Sequence, residues 1–156
     1  MALISELVQD LSYELLTPAG EAVTDPAQQK ALLGREITQI VNDSRKITEG
    51  CLFFCIEGAN WDGHTFAAQA IANGAAAIVV RKTPDLSQLQ SVCGGISADK
   101  MTGEDMPVII RVADTRYAMA FIAAAWYGHP ASRMKIIGVT GTKGKTTTNY
   151  MIKSIL

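Results

Sequence analysis

Lys145 and Thr146 close a glycine-rich run, Gly138-Val139-Thr140-Gly141-Thr142-Lys143-Gly144-Lys145-Thr146-Thr147-Thr148, whose residue types suit a nucleotide triphosphate. Glycine lets successive backbone N–H groups curl around phosphate oxygens where a side chain would obstruct them. A helix opening at Lys145 would turn its unpaired N–H groups and positive dipole end toward the same anions. Lys145 would then reach the terminal phosphates of ATP, and the Thr146 hydroxyl would be placed to bind Mg²⁺. The spacing departs from the usual phosphate-loop pattern: Val139 stands five before Gly144, and Gly138 lies one residue too early. The alternative is a surface turn ahead of a helix. The order of apolar strand, Gly-Lys-Thr and helix favours the phosphate loop.

Two polar clusters upstream also have the makings of a site. Asn42-Asp43-Ser44-Arg45 follows the β-branched run Ile37–Val41, and Glu57-Gly58-Ala59-Asn60-Trp61-Asp62-Gly63-His64 follows the apolar run Cys51–Ile56. Both therefore fall on strand-to-loop junctions. Asp62 can cap a helix from about His64 to Asn73, stopped by Gly74. His64 is either a helix-start residue making a structural hydrogen bond or a base. Trp61 is either a lid over the core or a stacking platform. Asp43-Ser44-Arg45 has an alternative as a capping and salt-bridge cluster, and His129 reads as a loop residue.

The elements that must hold these loops alternate in type. Apolar spacing over Ser5–Leu16 predicts a helix, and the polar, proline-containing stretch Glu21–Leu33 predicts a loop with room for a short helical turn. Strands are expected at Ile37–Val41, Cys51–Ile56, Ala75–Arg81, Pro107–Val112 and at the entry to the phosphate loop. The nearly continuous apolar strands imply burial on both faces, and the alternation implies an α/β fold with mostly parallel sheet. Asp114 and Thr115 cap a helix to about Tyr127 that is apolar all round, so both its sides should be buried. Lys82–Met106 is polar and unusually long for a connection, with room for a short helix near Leu86–Leu89. We expect a first domain over 1–111 and the start of a second, ATP-binding one over 112–156. The chain ends inside the helix that should follow the loop, so it reads as the front end of a larger enzyme.

Composition narrows the partners. Hydrophobic content of 48% and charged content of 19% fit a soluble globular protein. A net charge of −1 gives no ground for nucleic-acid or membrane affinity. No signal peptide is recognisable, and the apolar run Tyr117–Tyr127 is too short to span a bilayer. Three cysteines make no disulfide framework, and Cys51 and Cys55 should share one side of a strand as core residues. The chain reads as cytoplasmic and monomeric.

The form Gly-Thr-x-Gly-Lys-Thr-Thr resembles the ATP loop of the Mur ligases and the related folylpolyglutamate synthetases. Upstream, Asn42-Asp43-Ser44-Arg45, Gly50-x-Leu52-Phe53, Gly58, Asp62-Gly63-His64-x-Phe66 and Gly74-Ala75 resemble the N-terminal domain of that family. Val112-x-Asp114-Thr115-Arg116 and Tyr127-Gly128-x-Pro130 are similar to its entry into the ATP-binding domain. Thr142 inclines the likeness to the MurE branch over the MurF branch, while Lys143 departs from the asparagine often found there.

The resemblance implies an ATP-dependent amide ligase of peptidoglycan synthesis, serving cell-wall growth, cell shape and division. It would join a diamino acid, L-lysine or meso-diaminopimelate, to UDP-N-acetylmuramoyl-L-Ala-D-Glu through an acyl phosphate. ATP and Mg²⁺ would sit on Gly141, Thr142, Lys143, Gly144, Lys145, Thr146 and Thr147, with Lys145 and Thr146 acting in catalysis and Thr146 on the metal. The uridine nucleotide would be held by Asn42 and Ser44 in the first loop and by Ala59, Asn60 and Trp61 in the second. Ser44 and Asn60 have hydrogen-bonding groups for uracil, ribose or phosphate, and Arg45 has the charge to pair with a phosphate. The 156-residue chain alone is expected to lack ligase activity and to be limited to binding the UDP moiety.

Overall fold

Period-two alternation on strands too apolar to look alternating is what builds this molecule. The computed structural model describes residues 1–58, 61–86 and 107–155. Its strands are β1 (Ala2–Leu3), β2 (Tyr13–Leu16), β3 (Glu36–Ile37), β4 (Gln39–Val41), β5 (Cys51–Phe54), β6 (Ala77–Val80) and β7 (Val108–Val112). Its helices are α1 (Ile4–Leu7), α2 (Pro26–Leu33), α3 (Ala67–Ala72), α4 (Thr115–Trp126) and α5 (Lys145–Ile155). The main sheet has the order β2-β7-β6-β5-β4. β4, β5, β6 and β7 run parallel, and β2 is an antiparallel edge on β7, with Leu15 opposite Ile110.

Successive residues of the central strands enter opposite cores. Leu52, Phe54, Val79 and Ile110 pack with Ile4, Leu7, Leu32, Ala118 and Ile122, so α1, α2 and α4 cover one face. Cys51, Phe53, Ile78 and Ile109 pack with Ala67, Ala70 and Ile71 of α3 on the other. Phe53 and Phe54 are almost fully buried, each worth about 2–3 kcal/mol by removal of apolar surface from water. Cys51 and Cys55 lie in the same core layer, as their spacing predicted.

Short polar residues start the helices. Asp25 accepts from the Ala27 N–H at 3.1 Å, with Pro26 opening α2. Asp114 accepts from the Arg116 and Tyr117 N–H groups at 2.8 and 3.1 Å and starts α4.

Several expectations are corrected here. Ser5–Leu16 is not one helix: α1 covers only Ile4–Leu7, and Tyr13–Leu16 is the edge strand β2. The stretch Glu21–Leu33, expected as a loop with a short helical turn, carries a capped two-turn helix over Pro26–Leu33. The strand expected over Ile37–Val41 is split at Thr38, with β3 pairing β1 in a separate two-stranded sheet. Thr38 instead bonds the turn at Gly50, its N–H donating to Gly50 O at 2.9 Å and its hydroxyl to Glu49 O at 3.0 Å. α4 is buried on one side only, with Tyr117 and Tyr127 exposed. The strand expected before the phosphate loop does not form: Ile136 and Ile137 are 67% and 64% exposed, with no paired strand beside them among the described residues. A strand needs a neighbour to satisfy its backbone, and apolar sequence alone does not supply one. The possible helix near Leu86–Leu89 falls, past Leu86, outside the described residues.

Candidate nucleotide-binding site

Adjacent parallel strands deliver their following loops to the same edge of a sheet, which is where open α/β sheets bind ligands. Here β4 delivers Asn42-Asp43-Ser44 and β5 delivers Gly58, Trp61 and Gly63, and a cleft of about 360 Å³ opens between them. Asn42, Asp43 and Ser44 form one wall, Gly58, Trp61 and Gly63 the other, and Phe53, Phe54 and Phe66 contribute an apolar base. Ser44 and Trp61, distant in sequence, are thus brought together.

The first loop is a short 3₁₀ turn over Ser44–Lys46 capped by Asp43. The Arg45 backbone N–H donates to Asp43 Oδ1 at 3.1 Å, and its guanidinium donates from Nε and Nη2 at 2.9 and 2.8 Å. That bidentate hold, led by the guanidinium hydrogen bonds, draws the Asp43 carboxyl down to about 2. Arg45 is turned onto Asp43 and does not line the cleft. Asp43 and Arg45 thus form a cap and salt bridge, while Ser44 lines the cleft. The Asn42 side-chain NH₂ points toward Met119 Sδ of α4 at 4.0 Å, a weak contact.

The second loop is pinned at several levels. Gly58 N–H donates to Trp61 O at 2.8 Å, and Gly63 N–H donates to Ile56 O at 2.9 Å, closing a tight turn that leaves Trp61 77% exposed on the rim. Gly63 is required by close approach, because a Cβ there would lie 2.6 Å from Ile56 N and 2.8 Å from Ile56 O. Asp62 caps the next turn by accepting from the His64 N–H at 3.0 Å. Ala59 and Asn60 lie outside the described residues.

Charge then fastens this turn to β6. Lys82 Nζ stands between Asp62 Oδ2 at 2.6 Å and Glu57 Oε1 at 3.2 Å, and Arg81 pairs with Glu57 Oε2 at 3.1 Å. Arg116 of α4 donates to Glu57 O at 3.0 Å. The Lys82 ammonium, then the His64 N–H groups, hold the Asp62 carboxyl far below the usual carboxylate range against the opposing effect of burial. Glu57, Asp62 and His64 place ligand-type atoms within 4.8 Å of one another. Lys82 pairs with both carboxylates, Arg81 brings a second positive charge to Glu57, and His64 has both ring nitrogens engaged, so the trio's ligand atoms already have protein partners and do not make a metal cage. Arg81 and Lys82 are not singled out by the sequence; their signal lies in strand order, since β6 lies beside β5 and its outgoing residues must meet the β5 loop. Arg116, read in the sequence only as part of a motif, reaches the same loop from α4.

At the phosphate loop, Gly141 and Gly144 take positive φ of 153° and 80°, which L side chains rarely adopt. Helix α5 begins as Thr148 N–H donates to Gly144 O at 2.9 Å, and the Thr148 hydroxyl donates to the same oxygen at 3.0 Å. The Lys145 ammonium bends back onto the Gly141 carbonyl. Gly141, Thr142, Lys143, Gly144, Lys145, Thr146 and Thr147 are all exposed, so the loop backbone is open to an anion.

Comparison with known proteins places these features in a family. The description "Mur ligase family, catalytic domain" matches residues 36–127. The chain is 46% identical over 120 residues to a UDP-N-acetylmuramoyl-L-alanyl-D-glutamate–2,6-diaminopimelate ligase of Alkaliphilus metalliredigens, covering 77% of this chain and 21% of that one. It is 40% identical over 151 residues to the ligase of the same name from Syntrophomonas wolfei, covering 97% of this chain and 25% of that one. Among solved structures, MurF from Acinetobacter baumannii superposes with a TM-score of 0.56 at 26% identity, over 98% of this chain and 26% of that one. The chain spans about a quarter of the length of the relatives it matches.

Proposed function

The chain belongs to the Mur ligase family, and on that premise we propose that it supplies the uridine-nucleotide cleft and the phosphate loop of a MurE-type ligase. The reaction is ATP-dependent amide formation between UDP-N-acetylmuramoyl-L-Ala-D-Glu and a diamino acid. The likeness to diaminopimelate-adding ligases at 40–46% identity supports meso-diaminopimelate as that amino acid over L-lysine, and MurE over MurF chemistry. The observation that carries this reading is the meeting of Ser44 and Trp61 across one cleft at the carboxyl ends of β4 and β5.

In that cleft the Ser44 hydroxyl and the Asn42 carbonyl oxygen offer directional hydrogen bonds to uracil or ribose edges. The exposed Trp61 ring offers a flat apolar face to the base. By the resemblance, Ala59 and Asn60 would contribute to the same nucleotide contacts. Arg45 reaches a phosphate only by leaving Asp43. We place the division between front and ATP-binding modules after Tyr127, not between residues 111 and 112, because α4 buries Ala118 and Ile122 in the front core.

Lys145 has the charge and reach for the terminal phosphates of ATP once an anion draws it from the Gly141 carbonyl. Thr146, exposed in the first turn of α5, offers a hard hydroxyl oxygen. Mg²⁺ takes one or two protein ligands and keeps its other waters, so one hydroxyl fits it there. When bound, ATP would supply the phosphoryl group that turns the poorly electrophilic D-Glu carboxylate into an acyl phosphate as ADP leaves, and the amine would then form the amide as phosphate and a proton are released. What this chain contributes is positioning and charge stabilisation. The chain acts as a monomer in the cytoplasm.

Titration calorimetry with UDP-N-acetylmuramoyl-L-Ala-D-Glu tests the reading. Binding by the 156-residue chain that weakens about tenfold in Ser44→Ala, the loss of one or two hydrogen bonds, is expected. Equal binding by the variant, or no binding by the chain, would refute the cleft assignment.

A further inference from the structure

His64 is buried to 5% exposure, yet it carries no reacting group and does not line the nucleotide cleft. Both ring nitrogens are used. Nδ1 lies 2.6 Å from Asp62 Oδ1, and the Arg81 backbone N–H donates to Nε2 at 3.1 Å. An amide N–H needs a lone pair, so the ring proton resides on Nδ1 and is aimed at Asp62. The imidazole therefore bridges the cleft-forming turn to the outgoing end of β6 by two directional bonds. No other natural side chain of this size offers a donor and an opposed acceptor at that spacing.

Resting on the cleft reading above, we propose that His64 is a positioning residue for nucleotide binding, holding Asp62 in place so that its neighbour Trp61, bonded to Gly58, stays on the rim of the cleft. Asp62 is the shared node. Through its backbone it belongs to the turn, through Oδ1 it meets the His64 ring, and through Oδ2 it meets Lys82. Its neighbour Trp61 bonds back to Gly58, so a shift of Asp62 moves the whole rim. Glu57, Arg81, Lys82 and Arg116 hold the outer side of the turn, and they are exposed or half-exposed. Ion pairs in solvent contribute little geometric restraint. The buried imidazole is the bridge that water does not contest.

The test uses the 156-residue chain carrying Trp126→Phe, which leaves Trp61 as the single indole of the two in the sequence. His64→Gln, which can still present an acceptor to the Arg81 N–H, and His64→Ala are compared with the parent and with Ser44→Ala. Uridine diphosphate is titrated by calorimetry, Trp61 fluorescence anisotropy is read without ligand, and the fraction folded comes from thermal unfolding. We expect His64→Gln to remain folded at 25 °C, to bind uridine diphosphate about fivefold more weakly, and to show lowered Trp61 anisotropy; about tenfold is expected for His64→Ala if it folds. A residue that served stability alone would lower the unfolding midpoint and leave anisotropy and affinity of the folded fraction unchanged, and that result overturns the proposal. Binding that is lost in Ser44→Ala but kept within twofold in both His64 variants overturns the positioning role while the cleft stands. Absence of binding by the parent, or binding indifferent to Ser44→Ala, overturns the cleft and the positioning role with it.

Discussion

Replacing Gly63 by alanine adds one methyl group at the tightest backbone crossing of the second loop. The new carbon would stand 2.6 Å from Ile56 N, 2.8 Å from Ile56 O and 3.0 Å from Cys55 C. All three are main-chain atoms. They cannot step aside cheaply, because Cys55 N–H is bonded to Val79 O at 2.9 Å and Ile56 N–H to Phe54 O at 3.1 Å. Relief must come from the loop, which breaks the 2.9 Å bond from Gly63 N–H to Ile56 O. Overpacking of this kind costs about 2–3 kcal/mol, and the lost hydrogen bond adds about 1 kcal/mol. Together they correspond to a fall in Tm of roughly 10 °C for a domain of this size. Equilibrium urea unfolding followed by circular dichroism measures it, with an unchanged m-value as the sign that the native state alone was affected. A loss below about 1 kcal/mol would show that the loop yields freely, and the view of the turn as a rigid cleft wall would fail with it.

Other outcomes follow from the same geometry. Burial raises both the Cys51 thiol and the Cys55 thiol, the latter to about 12 with help from the Asp62 charge. At pH 8 neither should be alkylated by iodoacetamide in the native chain, and both should be labelled in urea, as read by peptide mass mapping. The depressed Asp62 carboxyl contributes stability that is complete above its ordinary value of 3.8 and is lost as pH falls below it. The gap in Tm between the parent and Asp62→Asn should therefore hold from pH 8 to 5 and close toward pH 2; a constant gap would refute the ion-pair account. The Glu14–Arg111 pair across β2 and β7 is 41% exposed on both sides, so Glu14→Ala should change stability by less than about 1 kcal/mol in the same urea assay.

What could be read ahead of the structure was whatever short windows determine. The runs at 51–54, 77–80 and 108–112 are apolar at every or nearly every position, which fits strands covered on both faces, and Asp62 and Asp114 announce their turns as caps. The first sixteen residues resisted because Leu7, Val8, Leu11, Leu15 and Leu16 match a helical stripe, while Leu15 and Leu16 are fixed by a strand far along the chain. The same holds for the site. Ser44 and Trp61 were legible as loop residues, whereas Lys82 became part of it only through the adjacency of β5 and β6. Ile136 and Ile137 show the converse, an apolar signal that had no neighbour to act on.

The pairing of β2 with β7 also governs the order of assembly during synthesis. Glu14 and Arg111 are 97 residues apart, and at translation rates of about 5–20 residues per second the partner strand emerges roughly 5–20 s after the edge strand. Leu15 and Leu16, which end 3% and 1% exposed, must spend that interval without their place in the sheet. Parallel pairing among β4, β5 and β6 can proceed meanwhile. The amino-terminal edge is then the last piece of the sheet to be sealed, and the nascent chain is most open to chaperones and to misassembly until residue 112 is free.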